Sequence, residues 1–326
     1  MISQKQLELA AYIKGVHLSL RRRSRQIGAE KAWDEHLKNE KVLKNYSDCM
    51  KNLAEDFWAT NNDSKSSCRI KWMVDVVEEY FVKNGIEKEL NKEKSKMEVI
   101  SKKNHVYQQA YSQNLPFEKP YKLLDVGSCY NPFKNFDIFD TFAVDLYPAS
   151  ADVQKCNFLE IPVDEWKPDC FSNLNSLPLN YFDVVVFSLF LEYLPLPQQR
   201  YLCCKKAYNC LKLGGLLLIA TPDSKHASAN SQLLKSWKNA LSVIGFVRIK
   251  LEKLRYIYCM AFRKALCKDY PALLYRVNVA EIKPDEMIVI PQDFTEYQID
   301  DDESKVEIKE EDKKEAFEEL PYFNFE

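Results

Sequence analysis

The chain has 326 residues, 46% of them apolar and 13% aromatic, enough for a substantial core in one large or two modest domains. Its formal charge of −2 is unevenly spread: residues 1–120 carry 22 Lys+Arg against 17 Asp+Glu, residues 121–270 carry 18 against 14, and residues 271–326 carry 6 against 17. A surface built to grip nucleic-acid phosphates would show a larger positive excess, and no apolar run is long enough for a signal peptide or membrane span. A soluble protein of the cytoplasm or nucleus, without a nucleic-acid partner, is expected.

Residues 1–103 are rich in Lys, Glu, Leu and Asn, with a break near Gly28 and a polar loop at 61–67. Trp72, Val76, Val77, Tyr80 and Phe81 recur at helical spacing, which predicts about three to five helices packed as an N-terminal helical domain, those side chains forming its own core. Arg21-Arg22-Arg23-Ser24-Arg25 admits a nucleic-acid or nuclear-import reading. Spread around more than one helix face, these residues fit a solvated helix end better.

Residues 104–120, with Pro116 and Pro120, read as a connector. From 121 to 270 strand and helix signals alternate. Strands are predicted at 122–126, 142–146, 153–158, 182–189 and 216–220, then a helix at 237–244 and a closing hairpin from 246–251 and 256–262. Gly214-Gly215 reads as a helix stop feeding a buried strand. This alternation predicts an α/β domain with a mostly parallel sheet covered on both faces. Residues 271–299 form a C-terminal extension, and the acidic tail 300–326 is expected to be disordered or a solvated helix.

Ten cysteines occur without a Cys-x-x-Cys pair. Reduced core thiols are expected, and no metal. The most informative motif is Leu123-Leu124-Asp125-Val126-Gly127-Ser128-Cys129, followed by Asp145 at the end of the next apolar run. An apolar strand breaking at Asp-x-Gly lets the backbone approach a ligand, and an acidic residue about twenty positions on is placed to accept ribose hydroxyls. The dinucleotide pattern G-x-G-x-x-G is absent, which argues against NAD. An ordinary strand-to-helix turn remains the alternative for Asp-x-Gly alone.

A Gly-Gly-initiated fifth strand followed by an antiparallel hairpin resembles class I S-adenosylmethionine (SAM) methyltransferases. Asp125 to Phe133, Val184 to Leu189, Cys203 to Ala207, Gly214 to Asp223, Ser236-Trp237-Lys238, Met260 to Lys264 and Ile290 to Phe294 resemble more closely the SAMTOR family. These are SAM-responsive regulators of TOR complex signalling, once described as probable rRNA methyltransferase homologues. The resemblance covers roughly residues 10–295 and implies a class I methyltransferase (Rossmann-like) sheet with an N-terminal all-helical domain. It implies SAM as ligand, with S-adenosylhomocysteine also binding. It further implies association with a GATOR-type GTPase-activating complex and its KICSTOR scaffold when SAM is scarce, in the cytoplasm or at the lysosome through those partners.

By the same resemblance Gly127, Ser128 and Cys129 approach the methionine portion, Asp145 and Leu146 the ribose, and Asn157 and Phe158 the adenine. Asn157 stands where the family carries Asp, and core packing is an equal role for Phe158. Ser188 and Leu189 line the methyl-donor side. The ligand carboxylate needs a cation, for which Arg69, with Trp72 beside it, is the candidate, a surface arginine being the alternative. No catalytic residue is assigned. Ser188-Leu189-Phe190-Leu191 replaces the Asn-Pro-Pro-Tyr of amino methyltransferases, and His226 reads as a loop residue rather than a base. A methyltransferase acting on rRNA or another acceptor is the alternative to a sensor, and a SAM-independent scaffold is the third class.

Overall fold

The computed structural model describes residues 4–54, 69–100, 115, 117–165, 167, 171, 174–224, 227–254 and 256–294. The predicted polar loop at 61–67, most of the connector, His226 and the acidic tail lie outside the described residues.

Three helices open the chain: α1 (Gln4–Ile27), α2 (Ala29–Lys38) and α3 (Glu40–Leu53). Gly28, at φ 89°, separates the first two, and the Asn39 side chain accepts the Val42 amide at 3.2 Å to cap the third. α4 (Arg69–Val77) continues through a π turn at Glu78–Val82, and α5 (Gly85–Ile100) follows.

The sheet comprises β1 (Tyr121–Val126), β2 (Phe139–Asp145), β3 (Gln154–Lys155), β6 (Phe182–Ser188), β7 (Leu211–Pro222), β8 (Phe246–Leu254) and β9 (Ile257–Lys264), while β4 (Val163–Asp164) and β5 (Leu177–Pro178) form a small separate pair. Its order is β3-β2-β1-β6-β7-β9-β8, with β9 antiparallel to both neighbours and the rest parallel. Three helices follow in this part of the chain: α6 (Pro197–Cys210), α7 (Ala227–Ile244) and the short α8 (Tyr270–Leu274). This is the class I methyltransferase arrangement.

Strand residues alternate between two apolar layers, as a sheet buried on both faces requires. Val185, Phe187, Leu217 and Ile219 pack with Cys203, Ala207 and Trp237 on one face, while Val184, Val186, Leu216 and Leu218 pack on the other with Trp72, Val76, Val77 and Tyr80. The last group therefore joins the sheet instead of forming a separate helical core. Helical spacing shows which side chains face inward, but not against what.

Gly214-Gly215 corrects another expectation. The preceding helix ends at Cys210, and the glycines lie inside β7, where pairing jumps from Phe182–Leu211 to Val184–Leu216. They form an irregularity in the strand, with Gly214 at φ 77° and a side chain at Gly215 excluded by the Asp183 carbonyl at 2.9 Å. The predicted third strand shrinks to two residues.

Arg21 is buried rather than solvated. It donates to the carbonyls of His17 and Glu192, while Arg23 pairs with Glu35 at 2.7 Å and Arg25 reaches the Asp293 carbonyl at 3.5 Å. The arginine run thus ties α1 to the rest of the fold. Arg200, fully buried, clasps Asp293 with bonds of 2.5 and 2.8 Å, and Trp237 donates to the Val289 carbonyl at 2.6 Å, so residues 284–294 are strapped across α6 and α7.

Glu93 on α5 meets Arg263 of β9 at 2.5 Å, and its other oxygen accepts the Cys267 amide at 2.9 Å. Both side chains are buried, so removing one partner strands a charge away from water. Glu93→Ala is expected to lower the unfolding free energy by about 3–5 kcal/mol in urea denaturation.

Candidate functional site

β1 pairs with β2 on one side and β6 on the other. The segments leaving their carboxyl ends therefore diverge, which opens a crevice at the switch point of the strand order. A cavity of about 770 Å3, including its mouth, lies there.

Gly127 and Cys129 follow β1 in the left-handed region, at φ 73° and 59°, and Leu189 follows β6 at φ 61°. All three line the cavity. Strained non-glycine backbone at two crossing loops is the kind of geometry that clusters at ligand sites. The space beyond Gly127 is taken by Phe190, 3.0 Å from where a Cβ would lie. A side chain at 127 would thus disturb Phe190 as well as the backbone.

Asp145 ends β2 with one oxygen accepting the Cys129 amide at 2.9 Å and the other the Tyr147 amide at 2.8 Å. Burial raises its pKa to about 6 against the pull of those two bonds. Each carboxylate oxygen retains a second acceptor site, so the group can still receive a vicinal diol. Asp125 lies deeper, its pKa pushed to about 7 chiefly by burial and also by Asp145, while the neighbouring Ser128 hydroxyl and the Arg69 charge pull it down.

Asn157 lines the cavity with both side-chain polar atoms buried and, among the described residues, no partner for either. An orphaned amide in a cavity wall suits a ligand edge that carries both a donor and an acceptor, as adenine does. Phe158 also lines the cavity but is 3% exposed and packs edge-on to Phe187 and Phe190, at 5.8 and 6.0 Å between ring centres. Ser188, Leu189 and Leu146 complete this side.

Arg69 stands behind the wall. Its Nε donates to the Ser188 hydroxyl at 2.7 Å, and its side chain is buried rather than on the surface. Trp72 does not reach the cavity: one helical turn on, it sinks into the layer beneath the sheet and donates to Glu252 at 2.8 Å. Ser128, buried beside Asp125, also lies outside the lining. The structure therefore gathers Gly127, Cys129, Asp145, Leu146, Asn157, Phe158, Ser188 and Leu189 around one space, with Arg69 and Ser128 adjoining.

The opposite wall comes from residues that sequence reasoning did not select: Trp33 on α2 and Leu43, Tyr46, Ser47 and Met50 on α3, with Tyr193 between the two sides. Lys51 donates to the Ala149 carbonyl at 3.3 Å, and the Cys129 thiol lies 3.6 Å from the Ser47 carbonyl, so α3 is tied to the loops that follow β2 and β1. No local sequence signal distinguishes these aromatics from ordinary core residues.

Above the cavity His17 bonds Tyr46 at 2.9 Å and His36 bonds Tyr193, with the two tyrosine rings 4.9 Å apart. Burial, assisted by Arg21, His36 and Lys14, lowers His17 to about 3, and burial lowers His36 to about 4.

The strand order and the crevice at its switch point define a class I methyltransferase-type fold with a helical roof. Residues 80–272 match the family described as "Bmt2: 25S rRNA (adenine(2142)-N(1))-methyltransferase". The chain is 38% identical to the "S-adenosylmethionine sensor upstream of mTORC1" of Xenopus laevis, across 89% of this chain and 76% of that one. To the protein of that name in Danio rerio it is 37% identical, across 91% of this chain and 79% of that one. The chain belongs to this family. Among solved structures, the N-methyltransferase NodS in complex with S-adenosyl-L-homocysteine overlays with a TM-score of 0.30 and 13% identity, covering 44% of this chain and 78% of that one.

A histidine held neutral in the fold stabilises it above its unfolded pKa of 6.5, a contribution lost as the pH falls toward the folded value. Asp125 and Asp145, raised from 3.8, act in the opposite sense: their contribution is present at low pH and lost as the pH rises through about 6 to 7. The melting temperature of a His17→Gln/His36→Gln variant is therefore expected to fall less than that of the parent chain between pH 6.5 and 5.

Proposed function

We propose that this chain is a SAM-binding sensor in TOR signalling, associating with its partners when SAM is scarce and released when SAM binds. The observation that carries this reading is the two-sided cavity. One wall is the sheet's carboxyl edge and the other is α2 and α3, so a ligand between them contacts both and favours one arrangement of roof and sheet. Such differential affinity is what moves a conformational equilibrium.

In this reading Asp145 accepts the ribose hydroxyls, Asn157 meets the adenine edge, and Leu189 and Phe190 lie along the sulfonium. Arg69, held at Ser188, supplies positive charge for the ligand carboxylate. The donor set fits the molecule: a buried carboxylate with acceptor sites remaining, an orphaned amide, apolar walls, and a cation held behind one of them at Ser188. The partners we infer are a GATOR-type GTPase-activating complex and the KICSTOR scaffold, met in the cytoplasm and, through them, at the lysosome. The names carried by the relatives support a role upstream of TOR.

The second reading, methyl transfer to rRNA or another acceptor, is favoured by the description attached to the matched family. Among the described lining residues, however, Asp145 is the sole ionisable carboxylate, and the roof of Trp33, Tyr46, Met50 and Tyr193 is apolar or neutral. Labelled methyl transfer from SAM to cellular RNA or protein, lost in Asp145→Ala, would favour this reading over the sensor.

The deciding experiment is affinity capture of GATOR and KICSTOR subunits from SAM-depleted lysate, repeated across a SAM series. Association that falls saturably with SAM is expected, and indifference to SAM would reject the sensor reading. In calorimetry, Asp145→Ala is expected to weaken SAM binding at least ~100-fold, the loss of two hydrogen bonds to a charged acceptor. Because the charged form is the acceptor, affinity in the parent chain is expected to decline as the pH drops through about 6.

A further inference from the structure

Lys206 projects from α6 toward the turn that carries Asn157. Its ammonium lies 3.2 Å from the Phe158 carbonyl, 2.8 Å from that of Leu159 and 2.5 Å from that of Ile161. Three donors thus meet three acceptors, which is the full capacity of a lysine head group. The same turn is closed from within, because the Asn157 carbonyl accepts the amides of Glu160 at 3.1 Å and Ile161 at 2.9 Å.

Placing a cation here is unfavourable in itself. The side chain is half-buried and surrounded by the thiols of Cys156, Cys203 and Cys210, and burial lowers its pKa. It donates to three backbone carbonyls, all within residues 158–161 and next to the orphaned Asn157 amide, with the Glu160 charge also favouring the ammonium. Asn157, Phe158 and Leu159 all line the cavity.

We propose that Lys206 is a positioning residue for adenine recognition: by gathering the carbonyls of residues 158, 159 and 161 it holds the turn so that the Asn157 amide meets the 6-amino edge of the ligand. This rests on the SAM-binding reading above. A loose turn would let the amide swing away from the cavity and bond water. A fixed one leaves the amide unpaired unless the ligand brings its own donor and acceptor, and that mismatch generates selectivity.

The test compares S-adenosylhomocysteine with its analogue bearing hydrogen in place of the 6-amino group, both titrated calorimetrically into the full chain. The parent protein is expected to prefer the amino ligand roughly tenfold or more, the consequence of one buried polar group left unpaired. Asn157→Ala is expected to abolish the preference. Lys206→Met, which keeps the aliphatic stem and removes the donors, is expected to lose most of it while melting cooperatively, and Lys206→Arg to restore part of it. Asp145→Ala should weaken both ligands alike and leave the ratio intact, so ribose binding and adenine selection separate. A folded Lys206→Met that retains the parental ratio would overturn the proposal. Should that variant fail to fold, Lys206→Gln carries the same comparison, a retained ratio again being decisive against it. If the parent chain binds neither ligand saturably, the SAM-binding reading falls and this inference falls with it. If it binds both with no preference, the adenine assignment and this inference fall together, while the SAM-binding reading stands.

Discussion

The pairing of β1 between β2 and β6 is the constraint on which the rest of the molecule depends. It forces the chain to leave the sheet in divergent directions at one edge, and the resulting gap is the only place where backbone amides, a strand-end carboxylate and an orphaned side-chain amide meet among the described residues. Register sets the detail. Asp125 pairs with Ala143 and Val186, which buries its carboxyl behind the crevice, while Asp145 ends β2 two residues beyond Ala143 and faces the open space.

Around this edge the helices divide their work. α2 and α3 roof the crevice with α1 bonded to them through His17 and Tyr46, whereas α4 and the π turn fill the far face of the sheet and α5 is held there by the Glu93–Arg263 pair. Arg69 sits where these roles meet, being the first residue of α4 and hydrogen-bonded to Ser188 at the end of β6. One hydrogen bond thereby joins α4 to a strand end that lines the crevice. The C-terminal strap adds a further tie, since Asp293 joins Arg200 on α6 and lies 4.0 Å from Arg21 on α1.

Much of the site follows from local pattern. Gly127, Asp145 and Ser188 stand at strand ends that alternation and turn chemistry locate, and strand ends in an open α/β sheet converge on one edge; Asn157, which pattern alone put inside a strand at 153–158, was found only through the family resemblance. Trp72 was misplaced because it stands one helical turn along α4 from Arg69: Arg69 bonds Ser188 behind the crevice wall, while Trp72 packs into the layer beneath the sheet. Trp33, Tyr46 and Met50 were passed over because an aromatic or sulfur side chain lining a ligand and one lining a core share the same amphipathic spacing. Lys206 was missed for a related reason, its partners being backbone carbonyls that have no residue identity.

What the sequence by itself determined is the order of strands and helices, the buried character of β1 and β6, and the residue types offered at each strand end, because these depend on periodicity of two or 3.6 and on local turn chemistry. The tertiary structure alone decided which helices roof the crevice, which arginines are buried, and how Asp293 and Lys206 act at a distance along the chain. Those outcomes depend on contacts between segments separated by tens to hundreds of residues, where the free energy of burying a charge or an aromatic ring is set by what arrives to cover it.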